Sequence, residues 1–437
     1  MLEYLGTDLC ECGKIHTAAI ENVVIGKGAI EHLAEFVNKL GGKKPFLLAD
    51  CNTFAAAGER VCSALSGYGI SYGKYIFPFG SLEPDEQSVG AAVMHFDATC
   101  DLIIGIGSGV VNDIGKILSN ITGRKYIIVA TAPSMDGYAS ASSSMSMDGL
   151  KVSLPSRCAD VIIGDTDILK NAPAHMLKAG LGDMLAKYVS IAEWRIAQII
   201  TGEYYCERVA ELIRGALKKC VDNAEGLLRR DEQAIEAVFE GLVIGGIAMA
   251  YAGISRPASG VEHYFSHVWD MRGLEFGTQV DLHGIQCAMG TLQAVKLYDK
   301  VKTLTPDEEK AKIYVEQFSF DAWKEELRAF LGNSAETMIA QELKEQKYDK
   351  STHAARFAKI SENWDSILQI LHEELPGYQK LAEVLDTIGI SKDLQSIGVD
   401  RVTARMTFKA TKDIRDKYVL SRLAWDLGVL EELCELL

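Results

Sequence analysis

Short apolar runs alternate with segments of helical period along the first 165 residues. Runs that predict strands are NVVIG (22–26), PFLLAD (45–50), SYGKYIF (71–77), DLIIGIG (101–107) and KYIIVAT (125–131). Helices are predicted between them near 28–40, 53–66, 85–96 and 110–120. The runs are too apolar to have one face in water, and one helix separates each from the next. This pattern predicts an α/β domain whose parallel sheet is covered by helices on both faces.

The period changes after about residue 165. Apolar residues then recur at intervals of three and four, which predicts helices within 183–220, 232–252, 257–270, 306–331, 336–345, 354–371, 376–387 and 401–435. We therefore expect residues 1–165 to form an α/β dinucleotide-binding domain and residues 166–437 to form a helical metal- and substrate-binding domain. Residues 345–400 are charged and are expected to form a helical excursion on the surface. The serine-rich stretch 139–146 is either a flexible linker or an ordered loop against a ligand.

Composition and charge narrow the class of protein. With 48% hydrophobic and 24% charged residues, the chain is typical of a globular protein rather than a disordered one. Lys and Arg number 45 against 60 Asp and Glu, so the basic surplus that nucleic-acid binding needs is missing. No apolar run approaches the roughly 18 residues of a membrane span. We expect no nucleic-acid partner and no membrane span.

Ten scattered cysteines, with no dense even framework, are typical of free thiols in a reducing cytoplasm. The N-terminal stretch lacks the basic and apolar regions of a secretory signal, which also favours a cytoplasmic location. Cys10, Cys12 and His16 form a C-x-C-x3-H spacing. This spacing fits part of a metal site without a clear fourth ligand nearby, or a turn that carries two thiols.

A glycine turn follows the run DLIIGIG. Gly105, Gly107 and Gly109 let backbone N–H groups and the start of a helix face a pyrophosphate, although a plain tight turn would look the same. Val110 stands where G-x-G-x-x-G has its third glycine, so that fingerprint is not met. Asp50 ends another run and is placed to accept ribose hydroxyls, and residues 131–134 form a second polar turn. Ligands of parallel sheets bind at such strand ends.

Histidines cluster in the helical half of the chain. Only nine are present, yet His263, His267 and His283 fall within 21 residues. His263 and His267 are four residues apart and so share one helix face. A pair of core histidines would explain this spacing. With Asp183 from GLGDMLAK, the set would instead hold a divalent metal and leave one position open.

The motifs GIGSGVVNDIGK, TAPSMDGYAS, GLGDMLAK, RPASGVEHYFSH and LHG resemble those of the glycerol-1-phosphate dehydrogenase family. This family belongs to the iron-containing alcohol dehydrogenase and dehydroquinate synthase-like superfamily. The motifs occur in the same order over about residues 20–295, and the bacterial members related to the arabinose-operon protein are the most similar. The resemblance implies a metal-dependent enzyme that interconverts dihydroxyacetone phosphate and sn-glycerol 1-phosphate with NAD(H) or NADP(H).

The resemblance also implies roles for individual residues. The cofactor-binding positions, with Asp50 and Gly107 added from their places at strand ends, are Asp50, Gly107, Gly109, Val110, Val111, Asn112, Asp113, Thr131, Ser134 and Ser140. Metal ligands would be Asp183, His263 and His283. Asp136, Asp183 and His267 would contact the substrate, and these three are the expected catalytic residues.

Departures from related enzymes refine this picture. Lys187 stands where iron-dependent alcohol dehydrogenases have a further histidine, so three protein ligands remain, which suits Zn²⁺ or Ni²⁺. Dehydroquinate synthases have a glutamate at the position of Asp183, which weakens that lyase alternative. The EH-x-x-SH motif favours the phosphate branch over a glycerol or polyol dehydrogenase. A binding protein without catalytic activity is expected to lack part of the ligand set, whereas Asp183, His263 and His283 are all present.

Some features stay open at this level. Lys187 and Arg256 are candidates for the substrate phosphate, but each is equally consistent with an ion pair. Asp50 favours NADH over NADPH. The apolar helix that contains GLVIGGIAMAYAG belongs either inside a domain or at a subunit contact, and a homodimer is one option.

Overall fold

The computed structural model describes residues 9–78, 81–147 and 150–437. Within these ranges, six strands form one fully parallel sheet, and two more form an antiparallel hairpin. The strands are β1 Asn22–Gly26, β2 Pro45–Asp50, β3 Gly73–Phe77, β4 Leu102–Gly107, β5 Lys125–Ala130, β6 Ser142–Met147, β7 Leu150–Pro155 and β8 Val161–Asp165. The order in the parallel sheet is β1-β8-β5-β4-β2-β3.

Helices alternate with the strands in the first part of the chain, and after β8 the described elements are all helices. In the first part they are α1 Leu33–Lys39, α2 Cys51–Thr53, α3 Glu59–Ser66, α4 Glu86–Met94, α5 Gly109–Thr122, α6 Thr166–Leu169, α7 Ala174–Leu185, α8 Lys187–Thr201, α9 Glu207–Asp222, α10 Ala224–Leu227 and α11 Glu232–Ala252. One π-helical turn, Phe54–Gly58, joins α2 to α3, and 3-10 turns cover Ala29–His32 and Gly137–Ala139.

The remaining helices complete the second part of the chain. They are α12 Val261–Phe276, α13 His283–Val301, α14 Glu308–Gln317, α15 Phe320–Leu331, α16 Ser334–Glu345, α17 Lys350–Glu362, α18 Trp364–Glu374, α19 Tyr378–Ile388, α20 Arg401–Thr411, α21 Leu420–Asp426 and α22 Leu430–Cys434, with a 3-10 turn at Leu394–Ile397.

The parallel sheet is buried on both faces, as its apolar runs predict. Every residue of β4 and β8 is buried, and β2 is buried up to Asp50. Side chains of alternating direction therefore meet helices on each side. The expected α/β class with a mostly helical C-terminal part is confirmed.

Three elements differ from the sequence-based expectations. The stretch 139–146, expected as a linker or loop, enters strand β6, which pairs with β7 in a hairpin. Strand β8 was not predicted, although its residues VIIGD are all buried. Helix α13 was also not predicted, because its buried face is nearly continuous and shows little helical periodicity.

The chain divides into two compact units that do not follow the change of period at Asp165. Unit 1 contains residues 1–184 and 211–254, and unit 2 contains residues 185–210 and 255–437. Helix α11 belongs to unit 1 because its small residues fit closely against other parts of that unit. A Cβ on Gly246 would lie 2.6 Å from that of Ala139, and Phe239 lies against Gly164 and Tyr138.

Helix α11 is the one described helix that is long and apolar enough to cross a membrane by length and composition. Its most apolar window is 78% buried, as is usual for the core helix of a folded domain. Of the two places expected for its apolar segment, the structure shows the interior of a unit.

Residues 345–400 form helices that pack onto unit 2. Helices α17 and α18 contact α8, and α19 contacts α13. Phe357, Ile367 and Leu385 are buried on their inner faces. The predicted charged helical excursion is therefore helical, but one side of it contributes to the core of unit 2.

Candidate active site

Three adjacent strands of unit 1 end at one edge of the sheet with the residues expected to bind cofactor. Asp50 ends β2, Gly107 ends β4, and Thr131 follows β5. The backbone N–H of Thr131 donates to the carbonyl of Gly107 at 3.0 Å. Strand order reverses between β2 and β4, because the chain continues to β3 on one side and to β5 on the other. A parallel sheet opens a ligand crevice at such a point.

The turn from β4 to α5 brings the helix very close to the strand. A Cβ on Gly107 would lie 2.5 Å from the Cβ of Val111, so only glycine allows this approach. Ser108 precedes the helix, which begins at Gly109. The first backbone N–H groups of a helix, here those of Gly109, Val110 and Val111, have no partner within the helix and attract anions. The turn thus offers backbone donors and no side-chain charge.

The next residues of α5 hold a loop in place with their side chains. Lys116 is fully buried and donates to Ser140 Oγ at 3.1 Å and to the carbonyl of Gly137 at 3.3 Å. The Nδ2 of Asn112 donates to the same carbonyl at 3.1 Å, and Asp113 pairs with Lys116 at 2.9 Å. Burial raises the pKa of Asp113, against the opposing effect of Lys116. The side chains of Asn112, Asp113 and Ser140 therefore form part of the scaffold.

Asp50 caps the helix that follows β2. Its Oδ1 accepts hydrogen bonds from the backbone N–H groups of Asn52 at 2.7 Å and Thr53 at 2.8 Å. Both bonds go to one oxygen, so Oδ2 can accept from a ribose hydroxyl while the cap is kept. Ser134 lies in the turn after β5 and is mostly buried.

Asp136 and Asp183 come together within unit 1. The backbone N–H of Asp136 donates to Asp183 Oδ2 at 2.9 Å, and Asp183 is fully buried. Helix α7 lies against the loop after β5 at Gly180, where a Cβ would lie 1.8 Å from the carbonyl oxygen of Pro133. Gly180, the first residue of GLGDMLAK, therefore sets how near the Asp183 carboxylate lies to this loop.

His263 lies in α12 of unit 2 with one ring nitrogen already engaged. Its Nδ1 lies 2.9 Å from Glu262 Oε1, which also accepts from the backbone N–H of Gly260 at 2.6 Å. Because a carboxylate only accepts, Nδ1 carries the proton and Nε2 presents its lone pair. A metal-binding histidine is commonly oriented in this way.

His283 and Cys287 face His263 from α13. Gly290 allows the two helices to approach, since a Cβ there would lie 2.6 Å from the carbonyl oxygen of Glu262. Ligand atoms of His263, His283 and Cys287 all lie within 4.8 Å of one another. Ser266 Oγ lies 3.0 Å from His283 Nδ1. We call these three residues the histidine cluster.

Cys287 is the site residue that sequence reasoning missed. Burial raises the pKa of its thiol, but the adjacent His263 and His283 lower it by more, so the resulting pKa lies below the usual value. Cys287 lies one helical turn after His283, and this H-x3-C spacing is the signal that could have identified it. His267 stacks near His283 with ring centroids 6.1 Å apart, and it is not among the three clustered ligands.

A second buried carboxylate supports the start of α12. Glu193 accepts from the backbone N–H groups of Val261 at 2.9 Å and Leu420 at 2.8 Å, and from the Tyr298 hydroxyl at 3.0 Å. Burial, followed by the proximity of Glu262, raises the pKa of Glu193 to about 8. These bonds fix the backbone that carries His263.

The two cations considered for the substrate phosphate have structural partners. Arg256 is fully buried and donates to Glu203 from Nε at 2.8 Å and from Nη2 at 2.6 Å. Lys187 is equally buried and donates to the carbonyl of Ala258 at 3.1 Å. Lys417 donates to the next carbonyl, that of Ser259, at 2.7 Å. Burial, and then Arg256, lower the pKa of Lys417 to about 7.

The fold resembles that of the iron-containing alcohol dehydrogenases. The family model "Iron-containing alcohol dehydrogenase" matches residues 24–173. A crystal structure of glycerol dehydrogenase from Schizosaccharomyces pombe has a TM-score of 0.62 at 18% identity, covering 95% of this chain and 90% of that chain. At that identity the likeness concerns the fold.

Sequence relatives identify the family within this class. Glycerol-1-phosphate dehydrogenase [NAD(P)+] from Halalkalibacterium halodurans is 33% identical over 293 residues, which are 66% of this chain and 73% of the relative. The enzyme of the same name from Bacillus licheniformis is 27% identical over 425 residues, covering 96% and 93%. The chain belongs to the glycerol-1-phosphate dehydrogenase family. The resemblance seen in the motifs is confirmed.

Proposed function

We propose that this chain reduces dihydroxyacetone phosphate to sn-glycerol 1-phosphate, reversibly, with NADH or NADPH and one divalent metal ion. The observation that carries the proposal is the histidine cluster, with the Nδ1 of His263 held by Glu262, in a chain of this family. The reaction moves a hydride from the nicotinamide to the carbonyl carbon and a proton to the carbonyl oxygen. Oxidised cofactor and alcohol are the products.

The donor set fits a divalent metal. We propose Asp183, His263 and His283 as its ligands, with Zn²⁺ or Ni²⁺ as the ion. One carboxylate and two imidazoles suit either ion, and the nearby Cys287 sulfur adds a soft donor that favours zinc. When bound, such an ion supplies Lewis-acid polarisation of a carbonyl oxygen. Glu262 and Ser266 keep the two imidazole rings in orientation before any ion arrives.

The cofactor is proposed to lie at the edge formed by β2, β4 and β5. The N–H groups of Gly109, Val110 and Val111 would receive the pyrophosphate, and Asp50 Oδ2 would accept from the ribose. Thr131 and Ser134 line the next strand end. Asn112, Asp113 and Ser140 act in this proposal through the Lys116 network, which keeps the loop at the nicotinamide end in place.

Substrate contacts are assigned to Asp136, Asp183 and His267. Asp136 would hold a substrate hydroxyl, while its backbone N–H keeps the Asp183 carboxylate in orientation. His267 would contact the substrate and deliver the proton directly or through water, since an imidazole titrates near neutral pH. The substrate phosphate is left to backbone donors and other side chains, because Arg256 and Lys187 are already bonded.

The chain is further proposed to be cytoplasmic and to form a homodimer. The ten cysteines are scattered along the chain without a dense even framework, as a reducing compartment favours. Burial of α11 within unit 1 gives the dimer no support from that helix.

Oxidation of NADH by metal-stripped protein tests the proposed function. Dihydroxyacetone phosphate and unphosphorylated dihydroxyacetone are compared, before and after Zn²⁺ or Ni²⁺ is restored. We expect turnover of the phosphorylated ketone only, and only with metal. Turnover of dihydroxyacetone alone would instead indicate a polyol dehydrogenase. Phosphate release from a sugar-acid phosphate without net NADH change would indicate a dehydroquinate synthase-type lyase.

A further inference from the structure

The first described residues form a small hairpin that carries two thiols and an imidazole. Leu9 pairs with Ile15 in an antiparallel bridge, and the N–H of Cys10 donates to the carbonyl of Lys14 at 2.9 Å. The N–H of Gly13 donates back to the Cys10 carbonyl at 2.8 Å, with Gly13 at a φ of 82°. This tight turn is reached without strain because residue 13 is glycine.

The turn brings three potential metal-ligand atoms close together. Ligand atoms of Cys10, Cys12 and His16 lie within 4.8 Å of one another. Cys12 Sγ lies 3.4 Å from His16 Nε2. A tetrahedral zinc ion, about 2.3 Å from sulfur and about 2.0–2.1 Å from nitrogen, separates two such ligands by about 3.6 Å. The observed separation therefore nearly equals one edge of a zinc coordination tetrahedron.

His16 is held in the orientation that a metal ligand requires. Its Nδ1 lies 3.0 Å from the carbonyl oxygen of Tyr251, and the residue is 4% exposed. A carbonyl only accepts, so Nδ1 carries the proton and Nε2 offers its lone pair to the thiols. Lys14 donates to the next carbonyl, that of Ala252, at 3.1 Å. Both carbonyls belong to the last turn of α11, where helix carbonyls lack partners within the helix.

Apolar burial does little to hold this hairpin. Leu9 is 71% exposed and Ile15 is 57% exposed, so the paired residues contribute few core contacts. Small elements with so little core are commonly stabilised by a metal. The oriented donors have no assigned role in the proposed reductase chemistry.

We propose that Cys10, Cys12 and His16 bind a structural zinc ion. Thiolates combined with an imidazole form a donor set typical of structural zinc sites. The thiols release their protons to solvent when zinc binds, and no redox change is involved. The site is independent of the histidine cluster and of the proposed reductase activity.

Metal analysis of the full-length chain tests this proposal. Histidine-cluster metal is first excluded with the double variant His263→Ala/His283→Ala. After purification and brief chelation, we expect one zinc per chain in this background. Adding Cys12→Ser or His16→Ala should reduce zinc to a trace, whereas Cys51→Ser, an exposed cysteine outside the hairpin, should leave it unchanged. Less than a tenth of an equivalent in the starting background would overturn the proposal.

X-ray absorption of the same zinc-loaded background keeps the test independent of variant folding. We expect zinc–sulfur scattering near about 2.3 Å from at least two sulfurs. A single sulfur in this shell would contradict a site that contains both Cys10 and Cys12. A shell of nitrogen and oxygen alone would overturn the site altogether.

Discussion

The cofactor edge of unit 1 and the histidine cluster of unit 2 are built in different ways. The cofactor edge of unit 1 consists mainly of backbone: a glycine turn, the start of α5 and strand ends. The histidine cluster of unit 2 consists of side chains, each held by a further group such as Glu262 or Ser266. A site made of backbone needs residues small enough for the chain to approach closely, such as glycine. A site made of side chains needs particular residue types that supply the donor atoms. Substitutions should therefore affect the cofactor edge and the histidine cluster in different ways.

The largest effect is expected from removing a cluster histidine. His263→Ala and His283→Ala should each lower kcat/KM by about 10³-fold or more and abolish stoichiometric metal binding, because the Lewis-acid contribution amounts to several kcal/mol. Steady-state kinetics and metal analysis check this. His32→Ala, at an exposed histidine, serves as the control. Retention of full activity by either cluster variant would mean that the cluster is not part of the active site.

A smaller effect is expected from the group that orients His263. Glu262→Gln keeps the size of the side chain but replaces the carboxylate that accepts from His263 Nδ1. We expect metal affinity to fall by about 10–100-fold. Competition with a chromophoric chelator measures this, and added metal should restore most of the activity. Unchanged metal affinity would show that the negative charge of Glu262 does not contribute to metal binding, since an amide oxygen can also accept from His263 Nδ1.

Substitutions at two glycines form a matched pair that tests the glycine turn of the cofactor edge. Gly107→Ala would place a Cβ 2.5 Å from Val111, so α5 must move, and both stability and cofactor binding should suffer. In Gly109→Ala the new Cβ meets only the flexible Met135 side chain, at 3.4 Å, so stability should be kept while the cofactor Kd rises about tenfold. Thermal unfolding and cofactor titration separate the two outcomes. Equal cofactor affinity in both variants and the parent chain would exclude this turn as the pyrophosphate site.

The smallest effect is expected at Asp50. Asp50→Ser keeps a helix-capping oxygen and removes the charge, so stability should change by only a few tenths of a kcal/mol. The ratio of kcat/KM for NADH to that for NADPH should fall about tenfold, because one hydrogen bond to a charged group is lost. Asp307→Ser makes the same change at the cap of α14 and controls for the capping effect. An unchanged ratio would remove Asp50 from the ribose site.

Local patterns predicted five of the six parallel strands, because each of the five is a short apolar run of its own; β8 was missed although its residues are buried as well. β1 and β2 have the predicted bounds, and β4 and β5 begin or end one residue inside theirs. Helix α13 was missed because it is buried on nearly all sides. Its first residue, His283, was nevertheless identified as a candidate metal ligand from its place near His263 and His267 and from the family motif LHG.

Side-chain partnerships between distant residues could not be read from the sequence. Asn112 donates directly to the carbonyl of Gly137, and Ser140 accepts from Lys116, a contact that spans 24 residues. The sequence is equally consistent with Arg256 as a phosphate contact or as an ion pair, and the structure shows its pairing with Glu203. Cys287 was one cysteine among ten. Its H-x3-C spacing from His283 was the one local signal, and the close approach of α12 and α13 brings it beside His263.

The configuration of the product tests the proposed function most directly. Glycerol phosphate formed from dihydroxyacetone phosphate and NADH is offered to an excess of a dehydrogenase specific for sn-glycerol 3-phosphate. We predict that the product is formed only by metal-loaded protein and that it resists oxidation by this second enzyme, as the sn-1 enantiomer must. Complete oxidation of the product would contradict the account, and so would the absence of any product from metal-loaded protein.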